Sequence, residues 1–458
     1  MGENTEMDIE NVKMLIQEKA IDNVTIAVID PNGNLRGKRI PAEDFPKICD
    51  IGVGFSTLAF GLDYADHVVA DNEFANFANG FPDMLLMPDI STFIVVPWDE
   101  KSGIVLTDCF DLQGNPIDIS PRGVLRKIVE RAELLEIYPV MSLEYEFYVL
   151  TEDISSMADK GYINLKTLYP SQGYFDVNRT WDAHFLKDIW RQMKACNISV
   201  DSFECEQGGG MFEMPLKHGT PVEVADTAII LKNGVKEICR RNNLTATFMA
   251  KLNGGEEGVS GHVHQSLWDQ ERKTNLFFDP ENENNLSQLA AHYVEGQLRT
   301  LREFIALFCP NYNSYKRLVP GWFTGNTTTW GVQSRSTSLR IINNNAEACR
   351  VEHRTPGADA NPYIALAACL AGGVYGIENK LNLRPVFSEG DPNEISRQDN
   401  KTIPYNREAV ELLKGSAIAR DFFGDAFIDH YTILKRWEIS TALSKVSDWE
   451  RERYLLRA

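Results

Sequence analysis

The sequence predicts an α+β protein of two unequal domains, and three observations carry that prediction. Residues 1–112 hold short strand-like runs joined by turn residues. Residues 113–458 alternate strand-like and helix-like segments and end in helices. Several strand-like segments of this second part place chemically loaded side chains two residues apart, a spacing that puts both on one face of a strand.

In the first domain, residues 8–20 (DIENVKMLIQEKA) have the apolar spacing of an amphipathic helix. NVTIAVID, the turn PNGN and LRGKRI follow as a hairpin, with the Asn-Gly pair expected to supply the positive φ angles of a tight turn. STFIVVPW and GIVLTDCFD read as further strands, and residues 61–89, rich in Asp, Asn and Gly, as loop. In the second domain Ser120 is expected to cap a helix that has Pro121 at its first position and continues through VLRKIVERAELL. LEYEFYVL reads as a strand, HFLKDIWRQMKACN as a helix and SVDSFECE as strand-like. EVADTAIILKNGVKEICRRNN is a long helix leading into TATFMAKLN, and HVHQSLWD is a strand. LSQLAAHYVEGQLRTLREFIALFC, NPYIALAACLAGGVYGIENK and most of the last sixty residues are helical.

Composition removes several function classes. A chain with 46 Lys and Arg against 65 Asp and Glu supplies no broad basic face, so nucleic acid is not an expected partner. No run of apolar residues is long enough for a membrane span, and the acidic start MGENTEMDIE does not read as a secretory signal. The eight cysteines form no CxxC pair, so buried thiols and a cytoplasmic location are expected.

The chemistry lies in the second domain. LEYEFYVL sets Glu144 and Glu146 on one face and Tyr145 and Phe147 on the other. HVHQSLWD does the same with His262, His264 and Ser266, and RVEHR with Arg350, Glu352 and Arg354. ECEQGGGMFEM places Glu206 and Glu213 on either side of three glycines, which let a ligand approach the backbone closely. Any one such face is ordinarily a solvated one; on a shared sheet, this many carboxylates would repel and raise one another's pKa unless divalent cations stood between them. Oxygen-rich ligands favour Mg²⁺ or Mn²⁺ over zinc. Residues 311–363 add Arg317, Arg335, Arg340, Arg350 and Arg354, guanidinium forks suited to carboxylates and phosphates. Metals, arginines and glycine-flanked loops point to phosphoryl transfer from a nucleotide, without the motifs of a P-loop enzyme or a protein kinase.

With LEYEFYVL, ECEQGGGMFEM, KLNGGEEGVSGHVHQSLWD, NSYKRLVPG, RSTSLRI and RVEHRTPGADANPY in hand, the chain resembles the glutamine synthetase family over nearly all its length. The resemblance implies a small β-grasp domain (1–112) and a large catalytic domain (113–458) whose curved antiparallel sheet forms a half-barrel funnel flanked by helices. It implies homo-oligomeric rings, commonly dodecamers of two hexamers, with each site between subunits. It implies that ATP phosphorylates the γ-carboxylate of glutamate and that an amine displaces the phosphate. By the same resemblance Glu146, Glu206 and Glu213 hold one metal, and Glu144, His262 and Glu352 another. Arg317 and Arg354, with Asn253, Gly254 and Gly255 nearby, hold glutamate. Arg335, Arg340, Arg350, His264, Ser266 and Asp201 attend ATP, Arg335 and Glu213 also being catalytic. Asp63 is expected to deprotonate the amine, with Asp66 as the alternative, and Tyr174 lies beside the amine.

The departures from the family pattern matter most for the amine. Ammonia-using members generally carry a glutamate where this chain reads Phe323, in Lys316-Arg317-Leu318-Val319-Pro320-Gly321-Trp322-Phe323. Asp201 stands where a glutamate is usual, and VSGHVH brings Ser260 and Gly261 one position nearer His262. Loss of a carboxylate weakens the hold on ammonium, and a ring offers an apolar wall. The expected product is therefore a γ-glutamyl amide of an apolar alkyl- or arylamine, with ordinary glutamine synthesis or γ-glutamylpolyamine synthesis as alternatives. All six expected metal ligands are present, which argues against an inactive relative. Residues 389–404 contain no tyrosine, so covalent modification of a tyrosine there is not expected.

Overall fold

The computed structural model describes residues 8–171, 173–394 and 403–457, so part of the tyrosine-free stretch 389–404 and the first seven residues lie outside the described residues. Two sheets organise the chain. The small one contains β1 (Asn23–Ile29), β2 (Leu35–Pro41), β3 (Val53–Ser56), β4 (Asp83–Pro88), β5 (Ile94–Val95) and β6 (Ser102–Phe110). Its order is β2-β1-β6-β4-β3, with β5 also on β6; β1 and β6 are parallel and the other pairs antiparallel. Alternation along β1 explains its place between two cores. Val24, Ile26 and Val28 join Val12 and Phe45 in the small core, whereas Ala27 and Ile29 join the main core.

The large sheet contains β7 (Tyr138–Leu150), β8 (Glu204–Cys205), β9 (Met211–Pro215), β10 (Thr245–Thr247), β11 (Gly261–Trp268), β12 (Trp330–Val332), β13 (Leu339–Ile342) and β14 (Arg350–His353). Its order is β12-β13-β14-β11-β7-β9-β8, with β10 also on β7. It is curved and nearly closed, and helices cover its apolar side. The expected antiparallel pattern holds except between β12 and β13, which are parallel. Behind it, the helices Gln288–Phe308 and Pro362–Glu378 touch at glycines; a Cβ on Gly296 would overlap the backbone of Gly372 and Gly376.

Local expectations needed correction in four places. The stretch 61–89 is not all loop, because Asp83–Pro88 forms β4. STFIVVPW yields only the two-residue β5, since Asp89 caps a short 3-10 turn over Ile90–Thr92 through Ser91 and Pro97 follows. SVDSFECE contributes only Glu204–Cys205. The hairpin turn is longer than a two-residue turn: Ile29 pairs with Leu35, Asp30 accepts the backbone N–H groups of Asn32 and Asn34 at 2.9 and 2.8 Å, and of Asn32 and Gly33 only Gly33 has positive φ, 85°. Ser120 does occupy the cap position before Pro121, but its side chain makes no capping bond.

One buried cation ties the small sheet to the helices behind the large one. Arg122 donates to Asp226 at 3.0 and 2.8 Å, to Asp108 at 2.7 Å and to Asp89 at 2.6 Å. Asp108 lies on β6 of the small sheet and Asp89 directly follows its β4, and Asp226 also accepts the Tyr363 hydroxyl at 2.6 Å. A guanidinium with three acidic partners tolerates burial that a lone charge would not.

Candidate active site

Strand register builds the site. Across β7 and β9, Glu146 faces Glu213; across β7 and β11, Glu144 faces His262; across β11 and β14, His264 faces Glu352; across β13 and β14, Arg340 faces Glu352. Tyr145 and Phe147, on the other face of β7, are buried in the core. Their burial holds the register, because a one-residue slip would turn the carboxylates inward and the rings outward.

The result is a continuous polar band. Glu146, Glu206 and Glu213 place ligand atoms within 4.8 Å of one another, as do Glu144, Glu213 and His262, and Glu144, His264 and Glu352. The expected first set is therefore found as a unit, while the second interleaves with it through Glu213 and includes His264. His262 Nδ1 lies 3.0 Å from Glu144 and 3.7 Å from Glu352, leaving its Nε2 buried with no partner among the described residues. Arg350 donates from Nε to His264 Nδ1 at 3.2 Å, so His264 presents its Nε2–H to Glu144 at 3.1 Å.

Electrostatics divides the carboxylates. Burial, then Glu144, Glu146 and Glu206, push Glu213 up to about 11. Burial, then Glu146 and Glu144, push Glu206 up to about 8. Burial would also raise Glu352, but Arg354 and the two imidazoles hold it at about 2. Burial would raise Glu144 as well, but hydrogen bonds from His262 and His264 hold it well below the carboxylate range. Crowded carboxylates that keep protons at neutral pH, beside an unpartnered imidazole nitrogen, fit divalent cations bound in their place.

Arginines close the band. Arg340 donates to Glu352 at 2.8 Å, and Arg354 donates to Glu352 and, at 3.3 Å, to the Phe323 carbonyl. Arg317 is fully buried and donates to Ser260 Oγ at 3.1 Å and to the Thr355 carbonyl, while the Ser260 N–H donates to Glu146 at 2.6 Å. At the other end, Asp201, His264, Ser266 and Arg350 line one cavity of about 450 Å³. His218, Trp268 and Glu347 line it too, and Trp268 donates to Ser266 Oγ at 2.8 Å. Sequence reasoning missed these three; the i+2 step from Ser266 to Trp268 on β11 was the available signal.

Beyond Glu206, the half-exposed Tyr174 has its hydroxyl raised to about 12, by burial and then by Glu206, Glu257 and Glu146. Trp322 lies under the Lys251 ammonium, 4.1 Å from the ring centroid. Phe323 is 55 % exposed and takes a left-handed backbone conformation, φ 53°. Such a conformation costs a non-glycine residue energy and is held here by the bond from Arg354 to its carbonyl.

Other expected residues stand apart from the band within one chain. Asp63 is buried, and its carboxylate accepts from the N–H groups of Ala65 and His67, the His67 imidazole and Trp437 Nε1. Those bonds lower its pKa against its burial. Asp66 pairs with Arg36 at 2.7 Å. Arg335 is exposed in the turn between β12 and β13. Asn253, Gly254 and Gly255 form an exposed turn in which the Asn253 amide donates to Glu256 at 2.9 Å.

Comparison with known proteins finds relatives along nearly the whole chain. Residues 118–454 match the family model described as glutamine synthetase, catalytic domain. A glutamate–isopropylamine ligase of a Pseudomonas species is 37 % identical over 99 % of both chains. A γ-glutamylethanolamide synthetase of Streptomyces coelicolor is 30 % identical over 98 % of this chain and 95 % of its own. Proteins named glutamine synthetase are also among the relatives. A solved structure titled apo GmaS without ligand superposes with a TM-score of 0.82 at 26 % identity, covering 98 % of this chain and 99 % of that one.

Proposed function

The chain belongs to the glutamine synthetase family and is an ATP-dependent ligase, and from that premise we propose that it joins the γ-carboxyl of L-glutamate to an apolar alkyl- or arylamine. The observation that carries the choice of amine is Phe323, an exposed aromatic side chain beside Trp322 where a carboxylate would favour ammonium. The relative named for isopropylamine supports the same reading.

Each part of the band has a role in the reaction. ATP would occupy the cavity lined by Asp201, His264, Ser266 and Arg350, with its phosphates directed along β11 toward the carboxylates. Glu144, Glu146, Glu206, Glu213, His262 and Glu352 would hold Mg²⁺ or Mn²⁺, which neutralise charge on the transferring phosphoryl group. Arg340 and Arg335 would hold phosphate oxygens, Arg335 from its exposed turn. Arg354 and Arg317 would hold glutamate from the opposite end. The γ-carboxylate attacks the γ-phosphorus, the bond from that phosphorus to the bridging oxygen breaks, and ADP leaves behind an acyl phosphate; a neutral amine then attacks the carbonyl carbon, the C–O bond to phosphate breaks and inorganic phosphate leaves.

Homo-oligomeric rings, with the 63–66 loop of one subunit facing the band of the next, complete this reading. Its support is that, among the described residues of one chain, that loop bonds to Trp437, Arg36, Asn32 and Asn311 and to no member of the band.

The deciding experiment measures phosphate release with glutamate, ATP and Mg²⁺ or Mn²⁺ across ammonium, isopropylamine, ethanolamine, aniline and putrescine. Preference for isopropylamine or aniline is expected. Ammonium used at least as well as every organic amine would overturn the proposal in favour of ordinary glutamine synthesis.

A further inference from the structure

The amine arrives as a cation and must lose a proton before it can attack, yet the acid expected for this task is already engaged: Asp63 accepts four hydrogen bonds. Position 323, where a second carboxylate would serve, is aromatic. The acids whose charge acts on the Tyr174 hydroxyl are Glu206, Glu257 and Glu146. Glu206 and Glu146 belong to a candidate metal triad. Glu257 does not; it is half-buried, and among the described residues its carboxylate makes no hydrogen bond and no ion pair within 4 Å.

The backbone around Glu257 is firmly placed. Its carbonyl accepts the Tyr148 hydroxyl at 3.0 Å. That hydroxyl in turn lies against Gly208, where a Cβ would overlap it, in the glycine run following Glu206. Gly258 lies against the Arg317 side chain, again with no room for a Cβ. On the preceding side, Lys251 donates to the Glu256 carbonyl while its ammonium rests over Trp322. The loop from Lys251 to Gly258 thus joins the metal band, the buried Arg317 and the aromatic segment, and Glu257 is the carboxylate at that junction whose charge acts on the Lys251 ammonium over Trp322 with no hydrogen bond between them among the described residues.

We propose that Glu257 is the carboxylate that binds the incoming ammonium group and takes its first proton, while Trp322 and Phe323 receive the apolar part of the amine. The assignment rests on the organic-amine reading above. An N–H proton of R–NH₃⁺ passes to the Glu257 carboxylate, leaving R–NH₂. The nitrogen lone pair forms the C–N bond at the acyl phosphate, the C–O bond to phosphate breaks, and the second proton leaves with the phosphate. Glu257 then returns its proton to solvent.

The test compares isopropylamine with hydroxylamine, a nucleophile already neutral near pH 7, in wild type, Glu257→Gln and Glu257→Asp. Glu257→Gln should raise the KM for isopropylamine about 10- to 100-fold and lower kcat by a similar order, while γ-glutamyl hydroxamate formation falls by less than about threefold. Glu257→Asp should recover part of the isopropylamine rate. Unchanged isopropylamine kinetics in Glu257→Gln, or parallel losses with both nucleophiles, would overturn the assignment, the latter because it marks a structural role for the loop. If wild type prefers ammonium to every organic amine, the organic-amine reading fails instead, and an unchanged KM for ammonium in Glu257→Gln would then remove Glu257 as well.

Discussion

Replacing Glu213 by Gln should stabilise the metal-free protein and abolish its response to metal. Glu213 sits in the band with its pKa near 11, against an ordinary 4.5, because burial and three neighbouring carboxylates disfavour its charge. A carboxyl whose folded pKa lies above its unfolded value keeps its proton in the fold while the unfolded chain releases it. Stability therefore falls as pH rises above about 4.5, by at most about 1.4 kcal/mol per pH unit. At pH 8 the upper limit is about 5 kcal/mol and at pH 6 about 2 kcal/mol, both reduced by relaxation of the neighbouring side chains. Glutamine keeps the shape and has no proton to release, so Glu213→Gln escapes this cost. The assay is urea unfolding in EDTA at pH 6, 7 and 8, at one protein concentration. The variant should be the more stable, by a margin that widens with pH. At pH 6 with saturating Mg²⁺ or Mn²⁺ the order should reverse, because only wild type gains the binding free energy, about 4 kcal/mol at a thousandfold excess over Kd, which exceeds the limit of about 2 kcal/mol there. A margin that does not change between pH 6 and 8, or a wild type that is the more stable in EDTA at pH 8, would refute the reasoning.

Three further outcomes are expected. Arg354→Ala leaves Glu352, 1 % exposed, with Arg340 as its remaining arginine partner. It should lower stability by about 2–4 kcal/mol and abolish glutamate-dependent phosphate release, while ATP binding measured by calorimetry persists. Arg350→Ala removes the donor to His264 Nδ1 and a wall of the nucleotide cavity, so the Kd for a non-hydrolysable ATP analogue should rise about tenfold with the KM for amine unchanged. Phe323→Glu should raise kcat/KM for ammonium relative to isopropylamine by about tenfold or more, read from the amine panel.

The faces of the strands were legible in the sequence, because side-chain alternation is local: Glu144 and Glu146 must point together, away from Tyr145 and Phe147, wherever the strand lies. The glycines beside Glu206 and the helix that begins at Pro362 were legible for the same reason, since turn and helix-start chemistry acts over a few residues. The short strands were not. SVDSFECE has the composition of a strand, but pairing with β9 reaches only Glu204 and Cys205. Nor was the Arg122 clamp, whose three acids are separated from it by 14, 33 and 104 positions.

The sequence by itself determined which chemical groups the protein brings to its reaction and which of them share a strand face, and it exposed the missing carboxylate at Phe323. Only the tertiary structure decided who meets whom: that Glu144 lies between two imidazoles, that Glu213 belongs to two overlapping triads, that Asp63 is spoken for by Trp437, and that the Glu257 carbonyl accepts the Tyr148 hydroxyl packed on the glycines after Glu206. The reason is register. Cross-strand partners are set by burial of the opposite face and by connections between distant segments, and no local pattern around a carboxylate encodes the residue that will stand across from it.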